Sequence, residues 1–216
     1  DEKTLEHFRN SSNQCRKVFI CVEMLPALYS SRHELGRAFH DLNVPDIDML
    51  VHCPPLEPTE SPIPANSREE LADIMFTALG ANPALRFLSC NLNGGLEQFS
   101  WTKLSASKSL EVLALSESWL QNVAAPIGHN DLSVIRFNNE SVREFSIIQG
   151  TTRCANNDWC GHLFKALEGA LVLEKLSLEK LATHLNDLTM YMESFLKASN
   201  KLRTLSFNSS DGILVN

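Results

Sequence analysis

The chain has 216 residues, 44% of them hydrophobic and 21% charged, a composition that supports one sizeable core and excludes wholesale disorder. Its formal net charge of -7 excludes a broad phosphate-binding surface, so neither nucleic acid nor an acidic or membrane surface is an expected partner. No apolar run reaches the roughly 20 residues needed to cross a bilayer, and the polar stretch 1–14 does not read as a secretory signal.

Six cysteines, at 15, 21, 53, 90, 154 and 160, are too few for a disulfide-built scaffold, so buried thiols and an intracellular setting are expected. Three Asn-x-Ser sequons, at Asn10, Asn139 and Asn208, permit glycosylation only in a secreted context, and so short a pattern recurs by chance.

Taken in chain order, the first candidate element is CRKVFI, where Cys15, Val18 and Ile20 follow an apolar-x-x-apolar-x-apolar frame. A helix start is expected at Ser31 to Glu34, where the hydroxyl and carboxylate have capping-box spacing. VPDIDM repeats the frame with Val44, Ile47 and Met49. Residues 53–67, CPPLEPTESPIPANS, hold five prolines, which preclude ladder hydrogen bonding and predict an extended surface loop insertion. A second capping box, Ser67 to Glu70, opens a predicted helix with Leu71, Ile74, Met75, Ala78 and Leu79 on one stripe, stopped by Gly80 and Pro83.

The clearest copies of the frame follow: LRFLSC with Leu85, Leu88 and Cys90, then LEVLAL with Leu110, Leu113 and Leu115. Two rivals come next, LSVIRF (Leu132, Ile135, Phe137) and VREFSI (Val142, Phe145, Ile147), only ten residues apart; one is a ladder strand and the sequence leaves open which. A helix from about Asp158 carries Cys160, Leu163, Phe164 and Leu167 on one face before Gly169, and LEKLSL (Leu173, Leu176, Leu178) follows it. A helix after His184, with Leu185, Leu188, Met192, Phe195 and Leu196, precedes LRTLSF (Leu202, Leu205, Phe207).

With VREFSI as the strand, the frame starts at 15, 44, 85, 110, 142, 173 and 202, so successive intervals are 29, 41, 25, 32, 31 and 29 residues. An interval near 29 suits one strand, one turn, one helix and a return loop. These triplets resemble the leucine-rich-repeat family, in its ribonuclease-inhibitor-like branch, over about residues 15–208. The resemblance implies an α/β solenoid of period about 29, with parallel strands on a concave face, helices on the convex face and the triplets in the core. The family also places Asn or Cys three residues after the last triplet position. Asn93 fits, whereas Ser118, Leu181 and Ser210 stand at the equivalent places, so irregular turns are expected. Residues 1–216 then form a single irregular domain. Beyond Asn208 only SSDGILVN follows the last triplet, so the chain is expected to be a piece of a longer protein, or to end against another domain or subunit.

If the strands are so placed, the variable positions between the first two aliphatics share the concave face. They are Arg86, Glu111, Arg143 and Glu144, then Glu174, Lys175, Arg203 and Thr204, a mixed-charge surface suited to selecting a protein partner. For any one of them, a solvated cross-strand pair is the plainer reading. Cys154, Cys160 and His162 form C-x5-C-x-H, which fits no structural-zinc spacing; Cys160 instead falls on an apolar helix stripe as an inert thiol. His33, His40, His52, His129 and His184 share no spacing, and Asn93-Gly94-Gly95 lacks the Lys-Ser/Thr of a phosphate loop. Trp101, Trp119 and Trp159 suit core packing or exposed anchors. The expectation is a non-catalytic protein-recognition scaffold with no cofactor, no metal and no catalytic residues. A subunit held permanently in a larger assembly is the alternative, and a Cys/His-dependent enzyme the remote third.

Overall fold

The computed structural model describes residues 16–23, 26–52, 67–93, 100–117, 136–149, 158–179 and 185–208. These form one all-parallel sheet of seven strands, β1 (Lys17–Glu23), β2 (Asp46–His52), β3 (Phe87–Asn93), β4 (Val112–Glu117), β5 (Glu144–Gln149), β6 (Lys175–Glu179) and β7 (Thr204–Asn208). Strand order in space equals order in the chain, so the sheet grows one strand at a time, consistent with a solenoid-like arrangement. Parallel neighbours need crossover connections. The described ones contain α1 (Pro26–Ser30), α2 (Arg32–His40), α3 (Ser67–Ala81), a 3-10 helix (Ser100–Ala106), α4 (Asp158–Leu167) and α5 (Leu185–Ala198).

Register follows the aliphatic triplets. Their second members form one rung, Val18, Ile47, Leu88, Leu113, Phe145, Leu176 and Leu205, and their third members the next but one, from Ile20 to Phe207. Strand side chains alternate faces, so both rungs point the same way, into the core. From β2 to β6 these positions are at most 2% exposed. The first members, Val44, Leu85, Leu110, Val142 and Leu173, are buried just ahead of their strands. Each fully buried aliphatic side chain contributes about 1.5–3 kcal/mol. VREFSI is thus the ladder strand: Glu144 pairs with Val112 on one side and Lys175 on the other. Of LSVIRF, residues 132–135 lie outside the described residues. Phe137 is buried with its ring centroid 6.5 Å from that of Phe145, and Asn139 bridges Ala170 in parallel.

Helical residues complete the same core. Leu71, Ala72, Met75, Phe76 and Leu79 of α3 are buried with Leu163, Phe164 and Leu167 of α4 and Phe195 of α5. Helix α3 packs between α2 and the 3-10 helix, which accounts for its apolar belt being wider than the one stripe read from sequence. Gly80 does not stop α3, which runs on to Ala81. A Cβ there would stand 2.9 Å from the Lys103 carbonyl oxygen, so glycine lets the 3-10 helix approach. Nor is Ser31 a capping-box residue in the expected sense. It follows α1 directly, with φ -104° and ψ 20°, and its side chain makes no cap hydrogen bond. Capping needs an extended N-cap to aim the hydroxyl at the first turn. Glu34 pairs with Arg37, and the Glu70 carboxylate accepts from Tyr29 and Arg32.

A row of buried polar side chains lies ahead of the strands, three residues before the first aliphatic: Asn82, Ser107 and Asn139. Asn82 Nδ2 donates to the carbonyls of Phe39 and Leu42 at 2.8 and 2.7 Å, satisfying the C-terminal end of α2, while its Oδ1 accepts from the N–H groups of Ala84 and Leu85. Asn139 does the same two units further on. Its Nδ2 faces the carbonyls of Leu104, Ser105 and Ser107, and its Oδ1 accepts from Ser141 and Val142. Ser107 Oγ accepts from Leu110 N–H at 3.0 Å, and Ser109 and Ser141 hydroxyls donate back to the Asn82 and Ser107 carbonyls. Among the described residues, turn-stabilising asparagines therefore precede the strands; the Asn93 side chain and residues 118, 181 and 210, which follow them, lie outside the description. Asn139, 1% exposed with its amide committed, cannot accept a glycan in the folded chain.

The proline-rich stretch 53–66 lies outside the described residues, and so do residues 209–216, on which the expectation about the chain's end rests.

Candidate functional site

The sheet's other face is the candidate site, because the strands place there every side chain that alternation keeps out of the core. Its first rung runs Lys17, Asp46, Phe87, Val112, Glu144, Lys175, Thr204. On the second rung, Ser89, Ala114, Ser146, Ser177 and Ser206 follow one another across β3 to β7 after Phe19 and Asp48. The third carries Leu50, Asn91, Ser116 and Ile148. Phe19, Phe87 and Ile148 are exposed, at 66%, 42% and 37%.

The eight sequence-predicted residues gather at the edge where the strands enter the sheet. Arg86, Glu111, Arg143, Glu174 and Arg203 stand one residue ahead of their strands, while Glu144, Lys175 and Thr204 begin theirs. A backbone pattern fixes them: the carbonyls of Arg86, Glu111, Arg143 and Glu174 each accept two N–H groups from the next unit, at 2.8–3.1 Å. Six of the eight are already partnered by one another. Arg86 pairs with Glu111, Arg143 Nη1 with Glu174 at 2.7 Å, and Lys175 Nζ with Glu144 at 3.1 Å. Strands roughly 4.8 Å apart bring opposite charges in successive units within reach, and such exposed pairs contribute about 0.2–1 kcal/mol each. Arg203 and Thr204 are exposed and join no such pair among the described residues.

Sequence reading missed two groups. The small second-rung residues occupy the position between the second and third aliphatics, so the triplet frame itself held their signal. Of the N-terminal cluster, Phe19, Asp46, Asp48 and Leu50 lay in or beside the two most degraded copies of the frame, and Phe87 lay in the clear copy LRFLSC. There Lys17 Nζ is 2.7 Å from Asp48 Oδ2 and 4.0 Å from Asp46 Oδ2. The hydrogen bond it donates to Asp48 and the nearby Asp46 charge raise the Lys17 ammonium's pKa above its ordinary range.

Away from the sheet, a shallow groove of about 740 Å³ separates α2 from α3, lined by His33, Gly36, His40, Asp73, Ile74 and Ala78 among others. Its charges are engaged locally, His40 with Asp41 and Asp73 with Lys103. Beside it, Tyr29 donates to Glu70 at 2.6 Å and Arg32 stacks over the Tyr29 ring at 4.5 Å, and the tyrosine hydrogen bond, with Arg32, lowers the Glu70 carboxyl's pKa. Cys90 is buried and its thiol pushed well up by desolvation, whereas Cys21 is exposed on the open sheet face, against the expectation of buried thiols throughout.

No three His, Cys, Asp or Glu side chains gather to hold a metal among the described residues, and no helix there is long and apolar enough to cross a membrane. Cys154, Trp119, His129 and His184 lie outside the described residues. Cys160, His162 and Trp159 fall in α4, and Trp101 in the 3-10 helix, with side chains outside the description. No protein-family model matches the chain, and no curated protein sequence matches it.

Proposed function

We propose that the chain is an irregular leucine-rich-repeat solenoid of the ribonuclease-inhibitor-like branch, acting as a non-catalytic scaffold that holds a protein partner on its concave strand face. Support for the repeat comes from the equivalence of the triplets. Strand starts at 17, 46, 87, 112, 144, 175 and 204 keep the spacing of the sequence frame, and from β2 to β6 the carbonyl just ahead of each strand accepts two N–H groups from the next unit and all three frame positions are buried. A unit of this kind cannot bury its apolar side alone, so neighbours must cover it.

The observation that carries the functional reading is the open face itself. Seven in-register strands bury one side in the core and keep Phe19, Phe87 and Ile148 exposed on the other. Exposed large apolar groups on a rigid sheet mark a surface that gains by being covered. Because six of the seven edge charges neutralise one another, discrimination rests on shape and on the unpaired remainder rather than on a single-sign field. Placing indoles at Ser146 and Ser177 tests this. Affinity purification of the Ser146→Trp/Ser177→Trp chain from cells should lose the partners retained by Lys197→Glu, which alters a helix surface. An unchanged partner set would overturn the reading.

A further inference from the structure

The N-terminal third of the open face has a chemistry of its own. Asp46 and Asp48 are alternate residues of β2, so both carboxylates stand on this face roughly 7 Å apart. Phe87 lies directly beside Asp46 on β3, and Phe19 directly beside Asp48 on β1, so the two acids sit between two exposed rings placed diagonally. Leu50, the next residue of β2 on this face, extends the apolar floor. A single cation among the described residues serves both acids. Lys17 is in register with Asp46, yet its ammonium lies against Asp48 at 2.7 Å and leaves Asp46 at 4.0 Å. One ammonium thus reaches Asp48 at hydrogen-bond distance and Asp46 only at the outer limit of an ion pair. A planar guanidinium can divide its N–H groups between them, with its flat face on an aromatic ring.

We infer that this patch docks a partner segment carrying an arginine beside an apolar side chain, its guanidinium entering between Asp46 and Asp48 and displacing Lys17. The inference rests on the open face being the partner-binding surface and names the chemistry that one part of it selects. Lys17 then acts as a resident competitor that keeps the carboxylates solvated and paired until a better-shaped cation arrives.

Fluorescence anisotropy with a labelled peptide alternating arginine and leucine tests the assignment, with the glutamate-and-leucine peptide as control. The unmodified chain is expected to bind the first peptide and not the second. Asp46→Asn/Asp48→Asn should weaken binding about tenfold or more, the loss expected when an interfacial charge pair is broken. Glu34→Gln/Glu193→Gln removes the same charge from helices α2 and α5 and should change binding less than about twofold. Lys17→Met should tighten it about two- to fivefold, the range of an exposed ion pair. If the Asp46/Asp48 variant loses its circular dichroism spectrum, Phe19→Ser and Phe87→Ser replace it, each expected to weaken binding.

Equal weakening by both acid-to-amide variants would reduce the effect to net charge and overturn the assignment. So would absent binding, or Lys17→Met binding no tighter. Cellular partners lost on tryptophan insertion at Ser146 and Ser177 yet indifferent to Asp46→Asn/Asp48→Asn would sink this assignment alone and leave the broader reading standing.

Discussion

Single buried amides do much to fix the turns ahead of the strands. Asn139 offers Nδ2 to three carbonyls and Oδ1 to two backbone N–H groups in a site 1% exposed, so Asn139→Ala strands several buried polar groups at once. Each unsatisfied group costs about 1–3 kcal/mol, and a loss of about 3 kcal/mol is expected from urea unfolding midpoints at unchanged m. Ser210 and Ser118 drew notice in the sequence because the family pattern looks downstream of the triplet, while Asn82 and Asn139 stand upstream and betray themselves only by burial. Gly169 is a second such position. A Cβ would stand 2.9 Å from the Phe137 carbonyl oxygen, in the bridge that seats Asn139, so Gly169→Ala should lower thermal stability. At Cys90, burial raises the pKa and shields the sulfur, whereas Cys21 faces solvent. Iodoacetamide should therefore label the exposed Cys21 in the folded chain and leave Cys90 unlabelled until denaturant is added, as read by peptide mapping.

Elements differ in how well their sequences announce them. Strands β3, β4 and β6 are legible because both flanking aliphatics are strong and face one core. Helix α3 was located correctly, but its burial on several sides, between α2 and the 3-10 helix, could not be read from one stripe. Leu176 sits fully buried in β6, between Phe145 and Leu205 in register, and Leu176→Ala should cost about 2–5 kcal/mol, against less than 1 kcal/mol for the exposed Leu171→Ala. The charge pairs between β5 and β6 belong to this scale too. Exchanging Arg143 with Glu174 and Glu144 with Lys175 keeps every pair while inverting the pattern, so chemical denaturation should shift by less than about 1 kcal/mol. A larger loss would show that the pairs are more than solvated neighbours.

For the molecule as a whole, the outcome is a sheet with one face committed to the core and one left open. Except at β5, triplet spacing by itself determined where the strands lie and which residues they bury, because burying the same three positions in successive units admits one register: a slip by one residue would turn every aliphatic outward. It also determined that helices fill the intervals near residues 67, 158 and 185. Tertiary structure alone decided between VREFSI and LSVIRF, since both carry the frame and only pairing with β4 and β6 separates them. It alone set the asparagine row, the partners of the edge charges and the Phe19–Asp46–Asp48–Phe87 cluster. Each of these depends on side chains from units some 25 to 41 residues apart meeting across a strand spacing of roughly 4.8 Å, and a sequence records the residues but not that meeting.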